Sequence, residues 1–238
     1  MNRHFRYKNS FVLFTISMVF SLRIFAQQPE ITDPDPLRFA KTINTFREWD
    51  QKNSFPPDAI LFAGSSSIRL WQTHTAFPEL PIINRGFGGA HISDMLHYYQ
   101  ETIKVYSPRV IVFYCGDNDI AAGKSVSQVL ADYTEFITKI KTGMPGVRLI
   151  YLPVKPSISR WDKWPVMDQL NQEIKRYNAS DSNLYYIDTA TPMLVNGEKP
   201  GPELFMDDGL HLNQTGYVLW TSILTPTIQK VYDDSIKQ

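Results

Sequence analysis

The sequence predicts an α/β fold: a three-layer sandwich with a central five-stranded parallel sheet and helices on both faces. Two observations carry this. Five short apolar runs lack the in-out alternation of a half-exposed sheet, so both of their faces must be covered. Amphipathic stretches of helical periodicity separate these runs, and strand and helix in alternation imply parallel strands joined by crossover helices.

The strands are expected at 59–64 (AILFAG), 82–86 (IINRG), 110–116 (VIVFYCG), 147–154 (VRLIYLPV) and 184–188 (LYYID), each short and rich in β-branched or aromatic residues. Helices are expected near 36–52, 92–106, 126–143, 164–179 and 215–232. In the third of these, Val126, Val129, Leu130, Tyr133, Phe136, Ile137 and Ile140 recur at helical spacing, and Ser125 stands where a cap is wanted. Trp220 shares a stripe with Tyr217, Leu224 and Ile228 in the last helix and reads as core.

The chain has 238 residues, with 24 Lys+Arg against 24 Asp+Glu. Its first 26 residues have a basic start (Arg3, Arg6, Lys8), an apolar run FVLFTISMVFSL and a small residue, Ala26. That is the pattern of an export signal. The run is too short for a spanning helix, which needs about 20 apolar residues; an uncleaved anchor is the alternative. Four bases (with Arg23) and no acid lie in this segment, so the remainder is net negative by four. With no basic patch of interleaved aromatics, nucleic acid is not an expected partner. Residues 27–36 (QQPEITDPDP) read as a flexible lead-in, and 37–238 as one domain. The single cysteine, Cys115, excludes an internal disulfide and reads as inert core. No cysteine follows the signal-like run, which argues against a lipid-anchored form. A periplasmic or secreted location with no stable membrane anchor is expected.

In parallel α/β sheets, ligands bind beyond the carboxyl ends of the strands. The segments there are Ser65-Ser66-Ser67, NRGFGGAH (84–91), GDNDIAAG (116–123), KPSISRWDKWP (155–165) and, ahead of the last helix, MDDGLHLNQTGY (206–217). A serine nucleophile requires a base, an acid that orients the base, and donors for the developing oxyanion. Of five histidines, only His211 has acids immediately before it in a glycine-containing loop. Taken alone, His211 reads rather as a structural residue on the approach to a helix, hydrogen-bonded to backbone.

Four blocks in order, ILFAGSSSI, NRGFGG, GDND and DGLH, resemble those of the SGNH (GDSL-type) hydrolases over nearly all of the expected mature length. The resemblance implies a flavodoxin-like sheet and ester hydrolysis through an acyl-enzyme, without a cofactor or metal. It assigns Ser66 as nucleophile, His211 as base and Asp208 as its orienter. Ser66 N–H, Gly89 N–H and the Asn118 amide become the oxyanion donors. Ser65 and Ser67 stand where the family has Asp and Leu.

Competing classes fit less well. An α/β-hydrolase would show Gly-x-Ser-x-Gly, which is missing here. A metallo-phosphoesterase using Asp117, Asp119, Asp207, Asp208 and His211 would rest on one histidine. A glycan-binding module would need a broken triad. Asp117 and Asp119 are expected to shape the loop around Asn118 through side-chain to backbone bonds, and Arg85 to pair with one of them or to touch substrate. Trp161 and Trp164 are candidates for substrate stacking or for covering the core edge. The expected substrate is a short-acyl ester, chiefly acetyl, of a carbohydrate; a lipase or lysophospholipase is the alternative.

Overall fold

The computed structural model describes Met1 and residues 30–237; the expected signal segment and Gln27, Gln28 and Pro29 of the lead-in lie outside the described residues. Five strands, β1 (Ile60–Gly64), β2 (Ile82–Gly86), β3 (Val110–Tyr114), β4 (Arg148–Tyr151) and β5 (Leu184–Tyr186), form one sheet in the order β2-β1-β3-β4-β5. All pairings are parallel. The register sets Gly64 opposite both Gly86 and Tyr114, so β1, β2 and β3 end level with one another.

The helices are α1 (Ala40–Asp50), α2 (Ser66–Arg69), α3 (Thr73–Ala76), α4 (Ile92–His97), α5 (Tyr99–Thr102), α6 (Asp117–Ala121), α7 (Val126–Gly143), α8 (Trp164–Asn178) and α9 (Gln214–Ile236). Every residue of β1, β3 and β4 is buried, whereas the edge strands β2 and β5 are partly open. This is why the central runs carry no alternation: each face has its own core. Leu61, Ala63, Ile111, Phe113 and Tyr151 face α1, α4, α7 and α8. Ile60, Phe62, Val112, Tyr114 and Ile150 face α2, α3 and α9.

From α9, Trp220, Leu224 and Ile228 are fully buried, and a buried side chain of this size contributes about 1.5–3 kcal/mol. That docking fixes the start of α9, and with it the loop just ahead, which contains Asp208 and His211. Asn213 fastens the same corner. Its side chain accepts from Gly216 N–H and donates to the carbonyls of Glu203 and Phe205.

Two expectations need correction. The run 92–106 is not one helix. Tyr98 takes φ −94°, ψ 21°, outside the helical range, and its hydroxyl donates to Pro36 O, so α4 and α5 are separate. Nor do residues 30–36 hang free as a flexible lead-in. Gln128 donates to Ile31 O, Asp33 accepts from Ser93 and pairs with Lys124, and Asp35 caps a 3-10 turn at Pro36–Phe39. Among the described residues no helix is long and apolar enough to cross a membrane.

Candidate active site

β1 ends at Gly64 with φ +134°, a conformation open to glycine, and a Cβ there would lie 1.9 Å from Tyr114 O. The chain turns at once into α2. The three serines then part. Ser65 is fully buried, its N–H donating to Tyr114 O and its hydroxyl lying 3.5 Å from Asp117 Oδ1. Ser67 points into the core, and its carbonyl accepts from the Tyr217 hydroxyl at 2.9 Å. Only Ser66 retains some exposure, and its Oγ lies 3.0 Å from His211 Nε2.

His211 sits in a tight turn closed by Met206 N–H to His211 O (2.8 Å) and Gly209 N–H to Met206 O (2.9 Å). Asp208 Oδ1 accepts the N–H groups of Leu210 and His211, both at 2.9 Å. Its Oδ2 lies 2.5 Å from His211 Nδ1. These bonds, the one from the His211 ring first, hold the Asp208 carboxyl down at about 2. It is therefore ionised across ordinary pH, which fixes the proton on Nδ1 and leaves the Nε2 lone pair facing Ser66.

Gly89 and Asn118 reach the same depression, of about 530 Å³, which also borders Ser66, Arg160, Leu210 and His211. Gly89 has φ +83° and open space around it, so here the backbone conformation, not crowding, calls for glycine. The Asn118 Nδ2 group donates to Ala90 O at 3.1 Å, which leaves its second N–H for the depression. Arg160, which has only donors, bonds Asn118 Oδ1 at 3.1 Å and Asp117 Oδ2 at 3.3 Å. Arg160 thus decides which way the amide points. Asp117 also accepts Asn118 N–H (3.0 Å), and Asp119 accepts Ile92 N–H (3.2 Å), so both carboxylates shape the loops by side-chain to backbone bonds.

Three candidate substrate contacts, Arg85, Trp161 and Trp164, are not found at the depression, and for the two tryptophans the core-edge reading holds instead. Arg85 neither touches the depression nor pairs with Asp117 or Asp119. It is buried, bonding Asp50 at 2.6 Å and the Tyr106 hydroxyl at 2.5 Å among the rings of Phe46 and Phe55. On β2 it is in register with Ala63, which faces the α1 side of the sheet, so its side chain goes there and not past the strand end. Trp161 and Trp164 do not line the depression either. They stack on each other, centroids 6.2 Å apart, at the entry to α8, with Trp164 against the core. Conversely, sequence reasoning missed Thr42 and Arg69, which do line it, and the bond from Arg160 to Asn118.

Among curated proteins no sequence match was found. Solved structures share the fold. A GDSL-like lipase from Bacteroides thetaiotaomicron superposes with a TM-score of 0.68 at 20% identity, covering 82% of this chain and 98% of that one. A member of the lipolytic G-D-S-L family from Veillonella parvula gives 0.61 at 22% identity, covering 72% and 98%. An acetyl-xylooligosaccharide esterase from Geobacillus gives 0.57 at 16% identity, covering 72% and 94%. The family model for GDSL-like lipases and acylhydrolases matches residues 65–219, from the serine turn into α9. With its blocks standing at successive strand ends of the expected sheet, the chain belongs to the GDSL-like lipase/acylhydrolase family.

Proposed function

We propose that this chain is an exported serine esterase that hydrolyses short-acyl esters, chiefly acetyl esters of carbohydrate, through an acyl-enzyme. The observation that carries the reading is the relay Asp208–His211–Ser66, with contacts of 2.5 and 3.0 Å opening on one depression. Ser66 Oγ attacks the ester carbonyl while His211 Nε2 takes its proton, and the Nδ1–H bond to Asp208 stabilises the resulting imidazolium. The oxyanion is met by Ser66 N–H at the start of α2, by Gly89 N–H and by the spare N–H of Asn118. His211 returns the proton to the leaving alcohol as the C–O bond breaks. Water, deprotonated by the same ring, then releases the acid.

The short acyl group is supported by the depression's walls. Leu210 is the one apolar side chain of any length among its lining residues, so a long chain would find no apolar surface to cover it. Export is supported by the signal-like first 26 residues. The acetyl-xylooligosaccharide esterase shares the fold, which makes an acetylated glycan a reasonable first substrate to test.

The test compares kcat/KM for p-nitrophenyl esters of increasing acyl length, beside acetate release from acetylated oligosaccharides. Acetyl esters should lead. A rate climbing with chain length, or jumping at the micelle threshold, would make the protein a lipase or lysophospholipase instead. Cell fractionation, with N-terminal sequencing of the exported form, tests the location.

A further inference from the structure

The depression at Ser66 does not end at Arg69. A second cavity, of about 640 Å³, lies beyond it, and the two share Thr42 and Arg69. Thr42, Thr45 and Trp49 of α1 line the far cavity, with Gln72 and His74 opposite. Trp49 is half exposed, with the Phe46 ring 5.9 Å away. An open indole beside hydroxyl and amide groups suits the face and edge of a sugar ring.

The charge along this path is one-sided. Lys41, Arg69 and Arg160 line the two cavities, and no carboxylate lines either. Arg160 is neutralised by Asp117. Arg69 is exposed and has no carboxylate partner among the described residues. Its guanidinium crosses Gly88, where a Cβ would meet Nε at 2.9 Å and Nη2 at 3.3 Å, which places it over the loop that leads to Gly89. An unpaired guanidinium at the junction of a reaction pocket and a sugar-sized cavity is a bidentate receptor for a carboxylate.

Resting on the esterase reading above, we infer that the two cavities form one groove for an acidic oligosaccharide: the acylated ring stands at Ser66, Arg69 binds a ring carboxylate, and a further ring lies over Trp49. The substrate class is thereby narrowed to acetylated glycans that contain uronic acid.

The experiment measures kcat/KM for O-acetylated tri-galacturonate and for neutral O-acetylated xylotriose, with p-nitrophenyl acetate as the reference ester. The wild-type protein should prefer the acidic trimer, and the preference should shrink at high salt. Arg69→Gln should cut the acidic-to-neutral ratio by about 10–100-fold, the range for losing one charge-assisted bond, and chiefly through KM. Arg69→Lys should restore part of the ratio. Trp49→Ala should raise KM for the trimer more than for the acetylated monomer. A wild-type protein that hydrolyses p-nitrophenyl acetate yet shows no acidic preference would overturn the groove and leave the esterase standing. A preference that survives Arg69→Gln in a variant with an unchanged melting curve would remove Arg69 from recognition. Failure on every ester would bring down the esterase reading itself.

Discussion

Among the described residues two histidine–aspartate pairs lie near the same strand ends, and they have opposite surroundings. His211 and Asp208 meet at 2.5 Å on a turn where both remain partly exposed, with Nε2 aimed at a hydroxyl. His91 and Asp119 are buried, their nearest atoms 3.7 Å apart, and His91 Nδ1 has no hydrogen-bond partner. Burial first, then Lys124, pushes the His91 ring down to about 4, and burial raises Asp119 to about 7 although Lys124 lies 3.5 Å away. A pair of the right residue types is therefore not a catalytic pair. What differs is a backbone turn that points the ring, an acid kept charged, and a reachable hydroxyl.

The largest effect should come from His211. His211→Gln should lower kcat by about 10⁴–10⁶ with little change in melting temperature, as expected when one member of a serine triad is removed. A fluorophosphonate probe should label Ser66 alone in the wild-type protein. Normal turnover by a folded His211→Gln protein would erase the distinction between the two pairs. Asp208→Asn should cost about 10⁴, toward the low end of that range, because the oxyanion donors and the ring remain while the tautomer is lost.

Asn118 joins the two regions, since its amide donates to Ala90 O, immediately before His91. Asn118→Ala should lower kcat by about 10²–10³, the cost of one oxyanion donor. Arg160→Gln should give a smaller loss in kcat, because it frees the amide to turn without removing it. Equal kcat for Asn118→Ala and wild type would exclude the amide from the oxyanion hole.

The strand ends were legible because hydrophobic runs stop where the sheet stops: the predicted 59–64, 82–86 and 110–116 agree with β1, β2 and β3 to within two residues. Their following segments converge in the structure, which brings Ser66, Gly89, Asn118 and His211 to one depression. Long-range pairing was not legible. Arg160 reaches Asn118 across 42 positions of sequence, and Arg85 reaches Asp50 across 35, with no local pattern to announce either. Trp161 and Trp164 attracted attention by composition, yet Trp49 and Trp71 are the tryptophans that line the cavity beside the depression, Trp49 on a helix that reads as an ordinary amphipathic stretch. The break at Tyr98 likewise depends on a partner, Pro36, far away in the chain.

The smallest effect on turnover, and the sharpest on the comparison, belongs to His91. His91→Asn should change kcat/KM little, since its ring makes no hydrogen bond to Ser66, His211 or Asn118. Its signature is in stability against pH. The ring's folded value of about 4 lies below its ordinary 6.5, so His91 contributes stability in full above pH 6.5 and loses it as pH falls toward 4. Asp119 runs the other way: its folded value of about 7 lies above 3.8, so its contribution is full below pH 3.8 and is lost as pH rises toward 7. Between pH 4 and 6.5 the two slopes oppose each other in the wild-type protein. Asp208, held at about 2, contributes above 3.8 and loses that contribution only below this window, equally in both proteins. Removing His91 takes its slope away and leaves those of the raised carboxylates Asp119, Asp94 and Asp132 in both proteins, so the melting temperature of His91→Asn should rise relative to wild type as pH falls from 6.5 to 4. Thermal melts of both proteins at half-unit pH steps measure this difference. Parallel curves would show that folding does not shift the His91 ring, and the contrast with His211 would then rest on geometry alone.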